Sequence, residues 1–304
     1  MKILITGAAG FIGSHLARFL CKKKISIYGI DNISDYYDKK LKLDRLKWIK
    51  NKYFNFNQVD LLDKKSLDMY ISKNKFDLII HLAAQPGVVY SIENPFAYIE
   101  NNIMAYLNLL EICKKRKISN IIYASSSSVY GKKNKAPFRE NQKTDTPLTV
   151  YSASKITDEH ISYVYSNLFS MNFIGLRFFT VYGEWGRPDM LIIKMLTSMT
   201  KKKYFELNNS GDHYRDFTYI DDVVSILIKL ITKKKFNYKV YNICSSRPIF
   251  IKKVVHKFKL LTGYNLVKNI KKNKLDVYKT YGDNRRIIKL VNVKKFTNFN
   301  KGLK

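Results

Sequence analysis

Little in this chain is arranged to hold a metal or a disulfide. Its three cysteines, Cys21, Cys113 and Cys244, stand far apart, and none falls in a Cys-x-x-Cys or Cys/His ligand spacing. They read as small, buried apolar side chains. The five histidines show no His-x-x-x-His pairing, so no metal site is expected. Long apolar runs are missing too: residues 78–84 form a short one that contains His81, far below the roughly 20 residues needed to span a bilayer. Residues 1–6 run straight into a glycine turn and leave no room for a cleavable leader. A cytoplasmic protein without a membrane partner is the expectation.

Negative charge is also scarce. Only 24 Asp and Glu stand against 55 Lys and Arg, for a formal net charge of +31. That balance raises a nucleic-acid or acidic-surface partner. Two details weaken it. The excess is mostly lysine, set in short clusters (22–24, 114–117, 201–203, 233–235) at expected helix ends and loops. The chain is also rich in Asn, Ile, Tyr and Phe, as when tolerant surface positions drift toward a few residue types. No nucleic-acid partner is expected, although a basic field favours an anionic nucleotide ligand.

What is present is a rhythm. The chain has 304 residues, 46% of them hydrophobic, enough for one large domain or two interlocked ones. Strand patterns at 2–6, 26–30, 54–59, 78–82, 121–125 and 173–179 alternate with helical patterns at 13–21, 64–72, 95–115 and 152–168. Such alternation predicts an α/β fold with a doubly wound parallel sheet. After residue 179 the rhythm changes to a Gly/Pro-bearing loop, 180–189, a helix at 190–202 and a short segment at 204–207. A helix at 221–231 and a strand at 240–243 read as a return to the first sheet.

Gly7-Ala-Ala-Gly10-Phe11-Ile12-Gly13 follows the first strand and opens a helix. Glycines there permit a tight turn and a close approach of backbone N–H groups to a pyrophosphate at the positive helix end. Asp31 ends the second strand, about 20 residues on, where a carboxylate can bond an adenosine ribose; that favours NAD over NADP. Asn32 follows Asp31, and Asp60, Leu61, Ala83 and Ala84 stand at the ends of the third and fourth strands, across which a dinucleotide would lie. The sheet is therefore expected to be a Rossmann domain formed by 1–179 and 216–246. A smaller, interleaved α/β substrate-binding lobe is expected from 180–215 and 247–304.

Tyr151 and Lys155 lie four residues apart, so a helix places them on one face, one turn apart. A free tyrosine ionises near pH 10, about 3 units above neutrality, and a neighbouring ammonium favours its charged form. Together they can work as an acid/base. Ser126, at the end of the fifth strand, is placed to donate to a reacting oxygen.

These residues resemble the extended short-chain dehydrogenase/reductases, specifically the nucleotide-sugar epimerases. The likeness runs from Met1 to about Asp283. It is carried by the glycine motif, by Ser125-Ser126-Ser127-Ser128-Val129-Tyr130-Gly131, by Tyr151-x-x-x-Lys155 and by Arg215-Asp-Phe-Thr-Tyr-Ile-Asp-Asp222. Within that family the chain is most similar to the UDP-glucuronate 4-epimerases. Here the likeness lies in Asp31-Asn-Ile-Ser-Asp-Tyr-Tyr-Asp38, Gln85-Pro-Gly-Val-Val-Tyr-Ser91, Glu93-Asn-Pro95 and Val181-Tyr-Gly-Glu-Trp-Gly-Arg-Pro-Asp-Met190. The resemblance implies a UDP-sugar substrate, tightly bound NAD, and inversion at C4 through a 4-keto sugar. It implies Tyr151, Lys155 and Ser126 as catalytic residues, Lys155 also on the nicotinamide ribose. Arg215 is implied for the diphosphate, and Arg187, Thr180 and Ser128 for the glucuronate carboxylate. A homodimer through helices at 95–115 and 152–168 is implied as well.

Ser127-Ser128 stand where the related sugar dehydratases carry Asp-Glu, which argues against water elimination. Pro86 and Val89 replace an alanine and an arginine usual in the family, and the tail after Asp276-Val-Tyr-Lys-Thr-Tyr-Gly-Asp283 is shorter, ending at Lys304. Two other readings stay open at this point: a 4-epimerase of UDP-glucose or UDP-N-acetylglucosamine, and a non-catalytic nucleotide or polyanion binder.

Overall fold

The computed structural model describes residues 1–233, 237–270, 277–293 and 295–303. Lys234 and Lys235 of the last basic cluster, Asp276 and Lys304 lie outside the described residues. Short apolar runs become the strands β1 (Ile3–Thr6), β2 (Ile27–Asp31), β3 (Phe54–Gln58), β4 (Leu78–His81), β5 (Asn120–Ser126) and β6 (Asn172–Phe178). Further along come β7 (Thr180–Tyr182), β8 (Phe205–Asn208), β9 (Tyr214–Tyr219), β10 (Tyr238–Ile243), β11 (Pro248–Phe250), β12 (Val267–Ile270) and β13 (Lys279–Thr280).

The main sheet has the order β10-β6-β5-β4-β1-β2-β3, and every pairing in it is parallel. This is a Rossmann-type, doubly wound α/β fold. Both faces of the sheet are covered, so its inner strands can be apolar on both sides. In β1, Ile3 and Ile5 join Leu16, Leu20, Val223 and Leu227 in one core, while Leu4 joins Leu67, Ile79, Leu109 and Tyr123 in another. That is the period of two expected of a strand. The order in which strands are added to the sheet reverses between β1 and β4, and ligands bind doubly wound sheets at the carboxyl ends of strands flanking such a point.

The smaller region pairs β9 with β7, β11 and β13, and β8 with β12, around a third core built from Met195, Phe205, Leu207, Phe217, Val254 and Phe258. Asp216, wholly buried in β9, fastens this region. Its carboxylate accepts from the Ser245 hydroxyl (2.6 Å) and from the N–H groups of Ser245, Ser246 and Gly282. All three cysteines are free and buried.

Besides β7, which opens the stretch expected to be a loop at 180–189, two elements depart from the sequence expectation. The helix expected at 95–115 is a short turn, Phe96–Tyr98, then a π-helical turn, Ile99–Met104, then the α-helix Ala105–Lys115. A π turn inserts an extra residue into a helix, commonly at a functional site. Here it turns Asn102 inward. The second departure is a helix at Lys39–Ile49, which the alternating pattern does not predict.

Candidate active site

Gly7 leaves β1 with a positive φ of 71°, and a methyl group on it would come within 2.6 Å of the Ala83 nitrogen beyond β4. A methyl on Gly13 would lie 2.2 Å from the Gly7 carbonyl oxygen. Only glycine lets the turn and the helix Phe11–Lys22 approach this closely. Gly10 caps that helix in an extended conformation without a side-chain hydrogen bond, so no side chain occupies its first N–H groups. These donors, with the helix dipole, form an anion-binding end. Gly7, Gly10, Phe11, Ile12 and Gly13 all border a cavity of about 410 Å³.

Asp31, Asn32, Asp60, Leu61, Ala83 and Ala84 border the same cavity. The Asp31 carboxylate accepts from the N–H groups of Ala9 (3.2 Å) and Ile33 (2.9 Å). Burial pushes its pKa up, against the Lys42 charge and those two hydrogen bonds. Asn32 Nδ2 donates to Asp60 Oδ2 at 3.1 Å, which ties the ends of β2 and β3 together. A donor-rich helix end beside a partly sequestered carboxylate fits the pyrophosphate and the adenosine ribose of a dinucleotide.

At the other end of the cavity stand Ser126, Tyr151 and Lys155. Thr149 caps the helix Val150–Phe169, its Oγ1 accepting from the Ser152 N–H at 3.2 Å, and so sets Tyr151 in the first turn and Lys155 one turn on. Ser126 Oγ accepts from the Ser128 N–H at 3.2 Å. Ser125 is committed elsewhere, donating to Glu159, whose carboxylate also takes a two-pronged bond from Arg177. Tyr151 meets the edge of Tyr98, ring centroids 5.9 Å apart, and the Tyr98 hydroxyl holds the carbonyls of Pro86 and Gly87. Beneath them His81 is buried, with Nδ1 bonded to Thr6 Oγ1 at 2.8 Å. Burial pushes its pKa down to about 3, so it stays neutral.

Thr180, Arg187 and Asp189 border the same cavity. Arg187 forks onto Asp189 through Nε (2.9 Å) and Nη2 (2.8 Å). Burial opposes its charge, but the Asp189 carboxylate outweighs this and raises its pKa, with Tyr151 contributing in the same direction. Ser128 and Arg215 do not border the cavity. Ser128 Oγ is buried without a hydrogen-bond partner, and Arg215 Nη1 donates to the carbonyls of Tyr214 (2.8 Å) and Val277 (2.9 Å).

Sequence reasoning passed over several residues that build this site. Arg45, wholly buried, donates to the carbonyls of Ala9, Trp185 and Gly186 and to the Tyr37 hydroxyl, joining the glycine turn to the loop that carries Arg187. Lys42 borders the cavity and donates to the backbone and hydroxyl of Ser34. Asn102 bonds the backbone of Gln85 in both directions and reaches Ser154 Oγ at 2.9 Å. Among the described residues no cluster of three or more His, Cys, Asp or Glu is placed to hold a metal ion. No helix among them is long and apolar enough to cross a membrane.

Residues 3–244 match the model of the NAD dependent epimerase/dehydratase family. The chain is 36% identical over 304 residues to the UDP-glucuronate 4-epimerase of Thermodesulfobacterium geofontis, a match covering 99% of this chain and 93% of that protein. It is 42% identical over 294 residues to Protein CapI of Staphylococcus aureus, covering 91% of this chain and 87% of that one. Among solved structures, UDP-glucuronic acid 4-epimerase from Bacillus cereus, in complex with UDP-glucuronic acid and NAD, superposes with a TM-score of 0.92. That match has 33% identity and covers 100% of this chain and 96% of that chain.

Proposed function

The chain belongs to the NAD dependent epimerase/dehydratase family, and from that membership we propose that it interconverts UDP-glucuronate and UDP-galacturonate by epimerisation at C4. The observation that carries this reading is one cavity bordered by the glycine turn and Asp31, by Ser126, Tyr151 and Lys155, and by Arg187 and Thr180. NAD, when bound, supplies reversible oxidation of the sugar carbon and is restored in each cycle.

The pyrophosphate of the cofactor would rest on the N–H groups of the first turn of the helix Phe11–Lys22, and its adenosine ribose on Asp31. Asn32, Asp60, Leu61, Ala83 and Ala84 would flank it, and Lys155 would bond the nicotinamide ribose. Tyr151 takes the proton of the sugar 4-hydroxyl and later returns it, Lys155 favouring its charged form. Ser126 donates to the same oxygen and fixes its position. The 4-keto uronic acid is a β-keto acid and is prone to lose its carboxylate. Arg187 and Thr180 would bind that carboxylate and restrain it. Ser128 and Arg215 would join them at the carboxylate and the diphosphate after a local rotation of their side chains.

In the same reading residues 1–179 and 216–246 serve the cofactor, and 180–215 and 247–304 serve the sugar nucleotide. Two protomers would pair through the helical segments at 95–115 and 152–168, which expose Phe96, Ile99, Met104, Tyr163, Val164 and Leu168. The protein would work in the cytoplasm, and its basic surface would serve no nucleic acid. NAD-loaded protein incubated with UDP-glucuronate is expected to yield UDP-galacturonate without net NADH, and Tyr151→Phe to lose at least about 100-fold in kcat. Folded, NAD-loaded protein that leaves UDP-glucuronate unchanged would overturn the reading.

A further inference from the structure

Lys155 faces the cavity, yet its ammonium is held from the opposite side. Nζ donates to Asp158 Oδ2 at 3.0 Å, one turn further along the same helix. Both side chains are almost wholly removed from water, at 2% and 1% exposure. Asp158 has little other support, because its Oδ1 is buried without a hydrogen-bond partner. The adjacent carboxylate, Glu159, is committed to Ser125 and Arg177. From the neighbouring elements, neutral His81 and the Tyr106 hydroxyl, itself bonded to Ser162, face this pair. Tyr98 and Arg187 face Tyr151.

We propose that Asp158 is a positioning residue that competes with the Tyr151 oxygen for the Lys155 ammonium, and so sets the pH range over which Tyr151 accepts the sugar's proton. One ammonium cannot compensate two anions fully. A carboxylate 3.0 Å from Nζ cancels much of the field that Lys155 would otherwise exert one turn back, in an interior where screening by water is weak. Burial pushes Asp158 up to about 6, which still leaves it charged at neutral pH. The inference rests on the reading of Tyr151 as the proton-transfer group, but not on which sugar is turned over.

Asp158→Asn removes the charge with almost no change of shape. The acid limb of its kcat/KM profile with UDP-glucuronate should move about one unit to lower pH, a rate gain of about tenfold at a fixed pH on that limb. Asp158→Glu, which keeps a carboxylate, should leave the limb in place. A second readout needs no substrate: the tyrosinate absorbance of the NAD-loaded protein, taken as its difference from the Tyr151→Phe variant, should titrate at lower pH in Asp158→Asn. Asp158→Ser, smaller and uncharged, makes the same comparison if the asparagine variant does not fold. A rate lowered equally at every pH, with an unmoved absorbance titration, would show Asp158 to be packing alone. Absent turnover with a shifted titration would sink the substrate reading and leave this one standing.

Discussion

In the proposed function Tyr151 and Lys155 would act on a ring hydroxyl whatever the sugar carries at its sixth carbon, so the choice of sugar would fall to the loop that bears Arg187. Its guanidinium already makes two bonds to the Asp189 carboxylate, the two-pronged pattern that also suits a uronate. Replacing Arg187 by alanine removes a charge-assisted bond worth about 1.5–3 kcal/mol, or roughly 10- to 100-fold. The expected outcome for Arg187→Ala is a rise of that size in KM for UDP-glucuronate, little change for UDP-glucose, and release of carbon dioxide from a keto acid no longer held. Initial rates on both sugars and a carbon dioxide assay decide it. An equal loss on both sugars would mean that Arg187 only braces its loop.

At the scale of elements, hydrophobic period located the inner strands and the helix that bears Tyr151 and Lys155, because those segments bury apolar side chains at regular spacing. It missed the helix Lys39–Ile49 for a physical reason. That helix turns Lys42, Arg45 and Ile49 inward, so two of its three buried positions are cationic, and Arg45 bonds backbone carbonyls contributed by distant loops. A pattern of apolar residues cannot report such a face, although the Asp31–Asp38 motif just before it marked the neighbourhood. The π turn Ile99–Met104 was hidden likewise, because its cause is the tertiary bonding of Asn102 to Gln85 and Ser154. Asn102→Ala would leave the Gln85 N–H and C=O buried and unpaired, at a cost of about 2–4 kcal/mol. Because Gln85, Pro86 and Gly87 border the cavity, NAD retained through gel filtration should fall along with the denaturation midpoint. A loss of stability with full NAD retention would make this clamp independent of the site.

For the molecule as a whole, the response to acid is set by groups buried in opposite senses. Burial pushes Asp158 and Asp216 up to about 6. Between about pH 6 and 4 the folded chain therefore binds more protons than the unfolded one, and this contribution to stability grows as pH falls, by about 3 kcal/mol for each carboxyl. His15 and His81 work the other way. Burial lowers them to about 4 and about 3, so below about pH 6.5 the unfolded chain takes up protons that the folded chain refuses, at about 3 and 5 kcal/mol. These two rising and two falling slopes nearly cancel between pH 6 and 4, and Asp31 and Asp222, also raised by burial, add to the rising side. Below that window the aspartate gain has ended, while His81 continues and the carboxylates of Asp68, Glu111 and Asp283, held low by their partners, lose their charge. The urea midpoint should then be flat or gently rising from about pH 6 to 4 and drop steeply below, when measured near 0.15 M salt so that the net charge of +31 is screened. His15→Gln isolates one slope, since a glutamine amide can still donate to the Glu184 carbonyl that His15 Nε2 meets at 2.9 Å. Without that histidine, the change in stability as pH falls from 6.5 to 4 should be about 3 kcal/mol more favourable than in the parent chain, and a variant that tracks the parent chain would show that His15 is not excluded from protonation by burial.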